Sequence, residues 1–204
     1  MKALLEPIKE IARFDELFRD LKKGTAGVTV ISGCLESQKA HMIAGLSEDA
    51  PVRLLIAENE LKAKELYEDL KFYYPDVFYY PARDLIFFEA DIHGNLLTKQ
   101  RMQVIAALLE KKSVTVVTSI SGCMDYLLPI SVLKKHVLHF KNDSVLDTEA
   151  LKKDLINMGF EYNAQAETPG QFAMRGGIVD IFLLTEENPV RIEMWGDEID
   201  SIRS

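Results

Sequence analysis

Apolar runs and helical patterns alternate along the first part of the chain. "VTVISG" (28–33) is an apolar, β-branched run that stops at a glycine, and a helical pattern follows over 38–47. "VRLLIAE" (52–58) precedes the helical "NELKAKELYEDLKFYYP" (59–75). "VFYYP" (77–81) precedes a loop and the helical "NLLTKQRMQVIAALLEKK" (95–112), and "SVTVVTSIS" (113–121) follows. Strands alternating with helices of this length predict a parallel α/β sheet whose strands are buried on both faces. The first residues, "MKALLEPIKEIARF" (1–14), predict an amphipathic helix with Leu4, Leu5, Ile8, Ile11 and Phe14 near one face.

The pattern changes after "YLLPIS" (126–131). "HVLHFK" (136–141) predicts a strand. "LDTEALKKDLINMGF" (146–160) predicts a helix capped by Asp147 or Thr148 and stopped at Gly159. Three strand-like runs follow, "GQFAMRGGIVDIFLL" (170–184), "NPVRIEMWG" (188–196) and "DEIDSIR" (197–203), separated by glycine, proline and acidic turn residues. They predict an antiparallel meander. The boundary is expected between Pro129 and Lys135, which gives one α/β domain over 1–130 and a small α+β domain over 131–204. The abrupt end after a strand suggests a piece of a longer protein.

Composition narrows the function classes. No apolar run approaches the roughly 20 residues of a membrane span, and charges interrupt the amino terminus before a secretory core forms. Two cysteines make no disulfide framework, so a cytoplasmic, reducing setting is expected. A net charge of -8 opposes a broad DNA-binding surface. No Cys/His cluster has zinc spacing, and no serine or cysteine triad stands out, so no metal site and no catalytic residue is expected. His136 and His139 are three apart on a predicted strand, hence on opposite faces. The aromatics Phe72, Tyr73, Tyr74, Phe78, Tyr79 and Tyr80 could stack bases. Packing in the core or at a domain junction accounts for them better, since few basic residues interleave.

"GCLESQKA" (33–40) sits where a phosphate-binding loop would lie. The pattern needed is G-x-x-x-x-G-K-[ST]. Gly33 and Lys39 fit it; Gln38 replaces the second glycine, and Ala40 replaces the hydroxyl that would hold magnesium. Glu36 places a carboxylate inside the loop, and at about 4 Å from a phosphate charge it would oppose the attraction of Lys39. An ordinary strand–turn–helix with a surface lysine is one alternative; a degenerate nucleotide fold is the other. Asp197–Glu198 is the one acidic pair resembling a magnesium-binding motif, and turn chemistry after Gly196 explains it better.

Side chains alternate along a strand. In 188–196, Val190, Ile192 and Met194 share the natural core face, which turns Arg191, Glu193 and Trp195 outward. In 171–177, Phe172 and Met174 point one way, and Gln171, Ala173 and Arg175 the other. If the two strands pair, Arg175 joins Arg191 and Trp195 in one patch, with Gly176–Gly177 suited to a bulge that re-aims Arg175. Trp and Arg are enriched at interface hot spots. The plainer alternative is a partly buried Trp and a strand arginine paired with Glu193.

Three stretches carry a family resemblance. "RLLIAENELKAKELYEDLKFYYP" (53–75) and "SVTVVTSISGC" (113–123) resemble segments of the helicase domain of the excision-repair protein UvrB. The stretch 170–203 resembles the small domain shared by UvrB and the amino-terminal region of transcription–repair coupling factors (Mfd). The lost phosphate loop resembles the coupling factors rather than UvrB. So does 79–101, which is too short for the DNA-inserting hairpin of UvrB.

The resemblance implies a degenerate helicase-type, P-loop NTPase-like sheet domain followed by a small UvrA-binding domain. It implies a non-catalytic adaptor without a cofactor of its own, recruiting UvrA to stalled RNA polymerase. The full protein would be an ATP-dependent DNA translocase that meets RNA polymerase and DNA through parts further along, and its other domains could mask the UvrA surface. Contact with UvrA falls on Arg175, Arg191 and Trp195; the last position is commonly Phe in the family. A UvrB-like ATP- or DNA-binding repair module is the competing reading.

Overall fold

The computed structural model describes residues 2–11, 13–24, 27–83 and 91–204. The chain divides into two compact units, Met1–Asp125 and Tyr126–Ser204.

The first unit begins with a short helix α1 (Lys2–Leu5), a 3₁₀ turn (Glu6–Glu10) and helix α2 (Phe14–Lys22). This replaces the single amphipathic helix expected over 1–14. Pro7 stands in the first turn of the 3₁₀ segment, and Ile11 leaves it in an extended conformation. Proline suits a helix start, not an interior. Only part of the expected apolar face is covered: Ile8 and Phe14 are buried, whereas Leu4 and Ile11 are exposed.

Helix α3 (Glu36–Leu46) and strand β1 (Val52–Ala57) come next, then helix α4 (Glu60–Leu70), strand β2 (Val77–Tyr80), helix α5 (Asp91–Glu110), strand β3 (Val114–Ser119) and the short helix α6 (Ile120–Cys123). The three strands are parallel in the order β1-β3-β2. The central strand β3 is buried at every position, as its unbroken apolar and β-branched sequence requires. Val114 and Val116 pack with Val104 and Ala107 of α5. Val117, on the opposite face, packs with Ala63 and Leu70 of α4 and Ala40 of α3.

The run 28–33 is not a strand. Val28 is 94% exposed and Val30 84%. Its alternation favours an extended chain, but a strand exists only through a partner edge, and β propensity alone supplies none. Residues 84–90, within the stretch compared with the DNA-inserting hairpin, lie outside the described residues. Of the tyrosines, Tyr79 is buried with Tyr73 and Tyr74 packed against the same cluster, and Tyr80 is buried in the cluster beside α5, so core packing is their role; Phe72 is exposed.

The second unit opens with helix α7 (Ile130–Leu133) and a 3₁₀ turn (Lys134–His136). The strand expected over 136–141 is absent: His136 closes the 3₁₀ turn, and Leu138 and Phe140 pack into the core from irregular chain. Core burial explains the apolar run without a ladder. Helix α8 (Thr148–Asn157) is capped as expected, since Asp147 accepts from the backbone N–H groups of Glu149 and Ala150, both at 3.0 Å. Gly159 follows at φ +93°, the left-handed stop that glycine supplies.

A five-stranded sheet completes the unit: β4 (Glu161–Tyr162), β5 (Gln171–Arg175), β6 (Ile178–Ile181), β7 (Val190–Trp195) and β8 (Glu198–Arg203), in that order. β5 to β8 form the antiparallel meander, and the two-residue β4 adds parallel to β5. One face buries Phe172, Val179, Ile181, Ile192 and Ile199 under Leu151 and Leu155 of α8. Truncating Phe172, which is fully buried, to alanine would cost about 3–5 kcal/mol. The opposite face carries the candidate site.

Candidate functional site

Alternation decides what faces outward. Val179 and Ile181 of β6 enter the core, so Ile178 and Asp180 turn to the other side. The same rule sends Arg175 of β5, and Arg191, Glu193 and Trp195 of β7, to that side. The expected division of β7 holds: Ile192 is fully buried and Met194 packs on the core, whereas Trp195 is 86% exposed.

The condition that β5 and β7 pair directly is not met; β6 lies between them. Asp180 stands opposite Ala173 on one side and Arg191 on the other. Its side chain is only 7% exposed, although it lies on the outer face, because both arginines lean over it. Arg191 donates from Nε to Oδ1 at 2.7 Å and from Nη2 to Oδ2 at 2.9 Å. Arg175 donates from Nη2 to Oδ2 at 3.5 Å. The hydrogen bonds from Arg191 hold the Asp180 carboxyl below the usual carboxylate range, against the opposing effect of burial.

Asp180 was not singled out from the sequence. The available signal was a lone acid between apolar residues in "IVDIF" (178–182) at an outward position. Its link to Arg191 depends on the β6–β7 register, which an intervening loop hides. The partner expected for Arg191 was Glu193. Instead, Glu193 accepts from Arg203 Nη2 and from Ser201 Oγ, the latter at 3.1 Å. Facing an acid on the next strand is geometrically easier than reaching two residues along the same strand.

Trp195 lies on the same face four residues beyond Arg191, about 13 Å along the strand by its rise. It is opposite Glu198 and next to the Gly196–Asp197 hairpin turn; of the acidic pair expected in that turn, Asp197 lies in it and Glu198 begins β8. The outer face thus joins Arg175 and Arg191 through Asp180 and sets Trp195 apart at its end.

No bulge occurs at Gly176–Gly177. These residues form a tight hairpin turn with Gly176 at φ +57°, and Arg175 pairs in register with Ile178. The irregularity falls instead between β7 and β8, at Glu193 and Met194. There Gly177 approaches β7 closely, accepting from the Met194 N–H at 2.7 Å. A Cβ on Gly177 would lie 2.7 Å from the Met194 carbonyl oxygen, so only glycine fits.

The loop 33–40 has its own geometry. Gly33 adopts φ +82°. The Gln38 side chain folds back so that its Oε1 accepts from Leu35 N–H at 3.1 Å, satisfying an amide at the start of α3. Lys39 binds Glu36 at 2.6 Å, which lowers the Glu36 carboxyl. Ala40 is buried in the core, where a metal-holding hydroxyl would have to be. Each departure from the phosphate-loop pattern therefore has a local structural use.

The carboxyl ends of the parallel strands hold a second polar group. Glu60 accepts from Tyr79 OH and Ser119 Oγ, and burial together with Glu60 pushes the Tyr79 hydroxyl up. Arg101, only 6% exposed, binds Asp125 at 2.5 Å and the Pro81 carbonyl at 3.3 Å, and also reaches Tyr80 OH. These contacts tie α4 and α5 to the sheet. Among the described residues no group of His, Cys, Asp and Glu could hold a metal ion, and no helix is long and apolar enough to cross a membrane.

Residues 138–204 match the UvrB interaction domain family. The whole chain is also similar to proteins named transcription-repair-coupling factor. That of Bacillus subtilis (strain 168) is 32% identical over 206 residues, covering 93% of this chain and 17% of the relative. That of Staphylococcus aureus (strain USA300) is 31% identical over 208 residues, covering 100% and 17%. That of Staphylococcus epidermidis (strain ATCC 12228 / FDA PCI 1200) is 31% identical over 199 residues, covering 96% and 17%. The second unit thus carries the UvrB interaction domain match. The chain as a whole is similar to transcription-repair-coupling factors and spans about one sixth of their length.

Proposed function

We propose that this chain is the UvrA-binding adaptor region of a transcription–repair coupling factor. The observation that carries the reading is the outer face of β5–β7. It presents two half-exposed arginines and an exposed tryptophan inside the segment that matches the UvrB interaction domain. Arg175 and Arg191 meet polar groups of UvrA, and Trp195 buries its ring against an apolar spot there.

The adaptor itself performs no catalysis. In the intact protein, translocation along DNA and the contact with RNA polymerase belong to other parts, and the small domain's outer face is the surface that those parts can mask. The first unit supplies a degenerate helicase-type scaffold, a reading supported by its parallel sheet and by the use of Gln38, Lys39 and Ala40 in local structure. Co-elution of this chain with UvrA in size-exclusion chromatography tests the reading. A shared peak is the expected result. Separate peaks at micromolar concentrations of both proteins would contradict it.

A further inference from the structure

We propose that Asp180 is the positioning residue of this surface. It holds Arg191 so that the free edge of the guanidinium takes a carboxylate of the partner protein. The inference rests on the outer face being the partner-binding site and adds the chemistry that the site reads.

A guanidinium carries five N–H donors in a planar fork. Arg191 gives Nε–H and one Nη2–H to Asp180. One Nη2–H and both Nη1–H groups remain, and of these the Nη2–H and one Nη1–H lie side by side on the edge at the tip of the fork. That edge carries two parallel donors, which match the two oxygens of a carboxylate. The side chain is 46% exposed, so the edge can be reached.

Left alone, an arginine in this setting samples many rotamers, and binding must select one. Fixing it beforehand is worth from about twofold to about tenfold in affinity for one such side chain. Asp180 suits that task because it is itself fixed. It sits on the middle strand β6, its side chain is 7% exposed, and Arg175 reaches its Oδ2 from the other flank.

The local charge agrees with this occupant. Two arginines share one acid, so the group keeps a single positive charge, enough for one carboxylate and small for a polyanion. The net charge of -8 also opposes nucleic acid. The exposed Trp195 on the same face fits a protein surface with an apolar spot.

The test is a double-mutant cycle on the full chain, with UvrA as the probe and Asp180→Asn, Arg191→Ala and the double variant titrated in parallel. Asp180→Asn is expected to weaken binding about twofold to tenfold in the wild-type background and to add nothing when Arg191 is already alanine. The Arg191 Nε–H proton signal should also shift and lose exchange protection in Asp180→Asn, a change that a general loss of stability does not produce. Asp180→Glu keeps the charge while moving it, and serves if the asparagine variant does not fold; it should lose affinity through Arg191 alone. The same loss in both backgrounds, or no loss in the wild-type background, overturns the inference while leaving the site reading intact. No effect of Arg191→Ala removes the site reading and the inference together. Duplex DNA binding that depends on Arg191, without binding to UvrA, overturns both.

Discussion

Arg191 grips Asp180 side-on across two neighbouring strands, with Nε–Oδ1 at 2.7 Å and Nη2–Oδ2 at 2.9 Å. The pair lies on the face of the sheet that the core does not use. A buried acid and a half-exposed base there both anchor the sheet surface and shape what it offers outward.

Trp195 separates binding from folding. It is 86% exposed, so Trp195→Ala should leave the thermal midpoint nearly unchanged, as surface substitutions usually do. Affinity for UvrA should fall by about thirtyfold, the size of an interface hot spot. Calorimetric titration and a melting curve on the same sample check both parts.

Gly177 should tolerate nothing larger. A Cβ would lie 2.7 Å from the backbone oxygen of Met194, which no side-chain rotation relieves. Gly177→Ala should destabilise the chain by about 1–3 kcal/mol. Urea unfolding followed by far-ultraviolet circular dichroism measures it. Wild-type stability would show that β7 moves aside freely.

Asp180 gives the stability a pH signature. Its carboxyl is held below the ordinary value of 3.8, chiefly by hydrogen bonding from Arg191. A depressed carboxylate adds stability that is fully present above its unfolded value and is lost as pH falls through its folded one. Wild type should therefore lose stability faster than Asp180→Asn below about pH 4. Urea unfolding series from neutral pH to pH 2.5 compare the slopes. Parallel slopes would mean that Asp180 does not titrate differently in the folded chain.

Lys39 should not support nucleotide binding. Its ammonium is engaged by Glu36 at 2.6 Å, and Gln38 occupies the nearby backbone amide of Leu35. Millimolar ATP with magnesium should shift the melting midpoint equally little in wild type and Lys39→Ala. A stabilisation by ATP that Lys39→Ala abolishes would restore the loop as a ligand site.

Much of this site could be read from the chain because a strand has a short period. Ile192 and Met194 had to share a face, so Arg191 and Trp195 had to share the other. The cap at Asp147 and the stop at Gly159 were legible for a similar local reason. What escaped depended on pairing. The run 28–33 and the run 136–141 have strand-like composition, yet neither forms a ladder in the described chain. Asp180 escaped because eight residues of loop, 182–189, separate β6 from β7, and alternation within one strand says nothing of register with the next. The mistaken bulge at Gly176–Gly177 arose likewise: the glycines serve a tight turn and a close approach to Met194, which only the register reveals.

The central claim is that the outer face of the small domain binds UvrA through Arg191. Isothermal titration of UvrA into the full chain, wild type against Arg191→Ala, tests it most directly. The account predicts a dissociation constant raised by about thirtyfold or more in a chain that still folds, with a melting midpoint lowered by the loss of the Asp180 pair. An Arg191→Ala chain that folds and binds UvrA as tightly as wild type would contradict it.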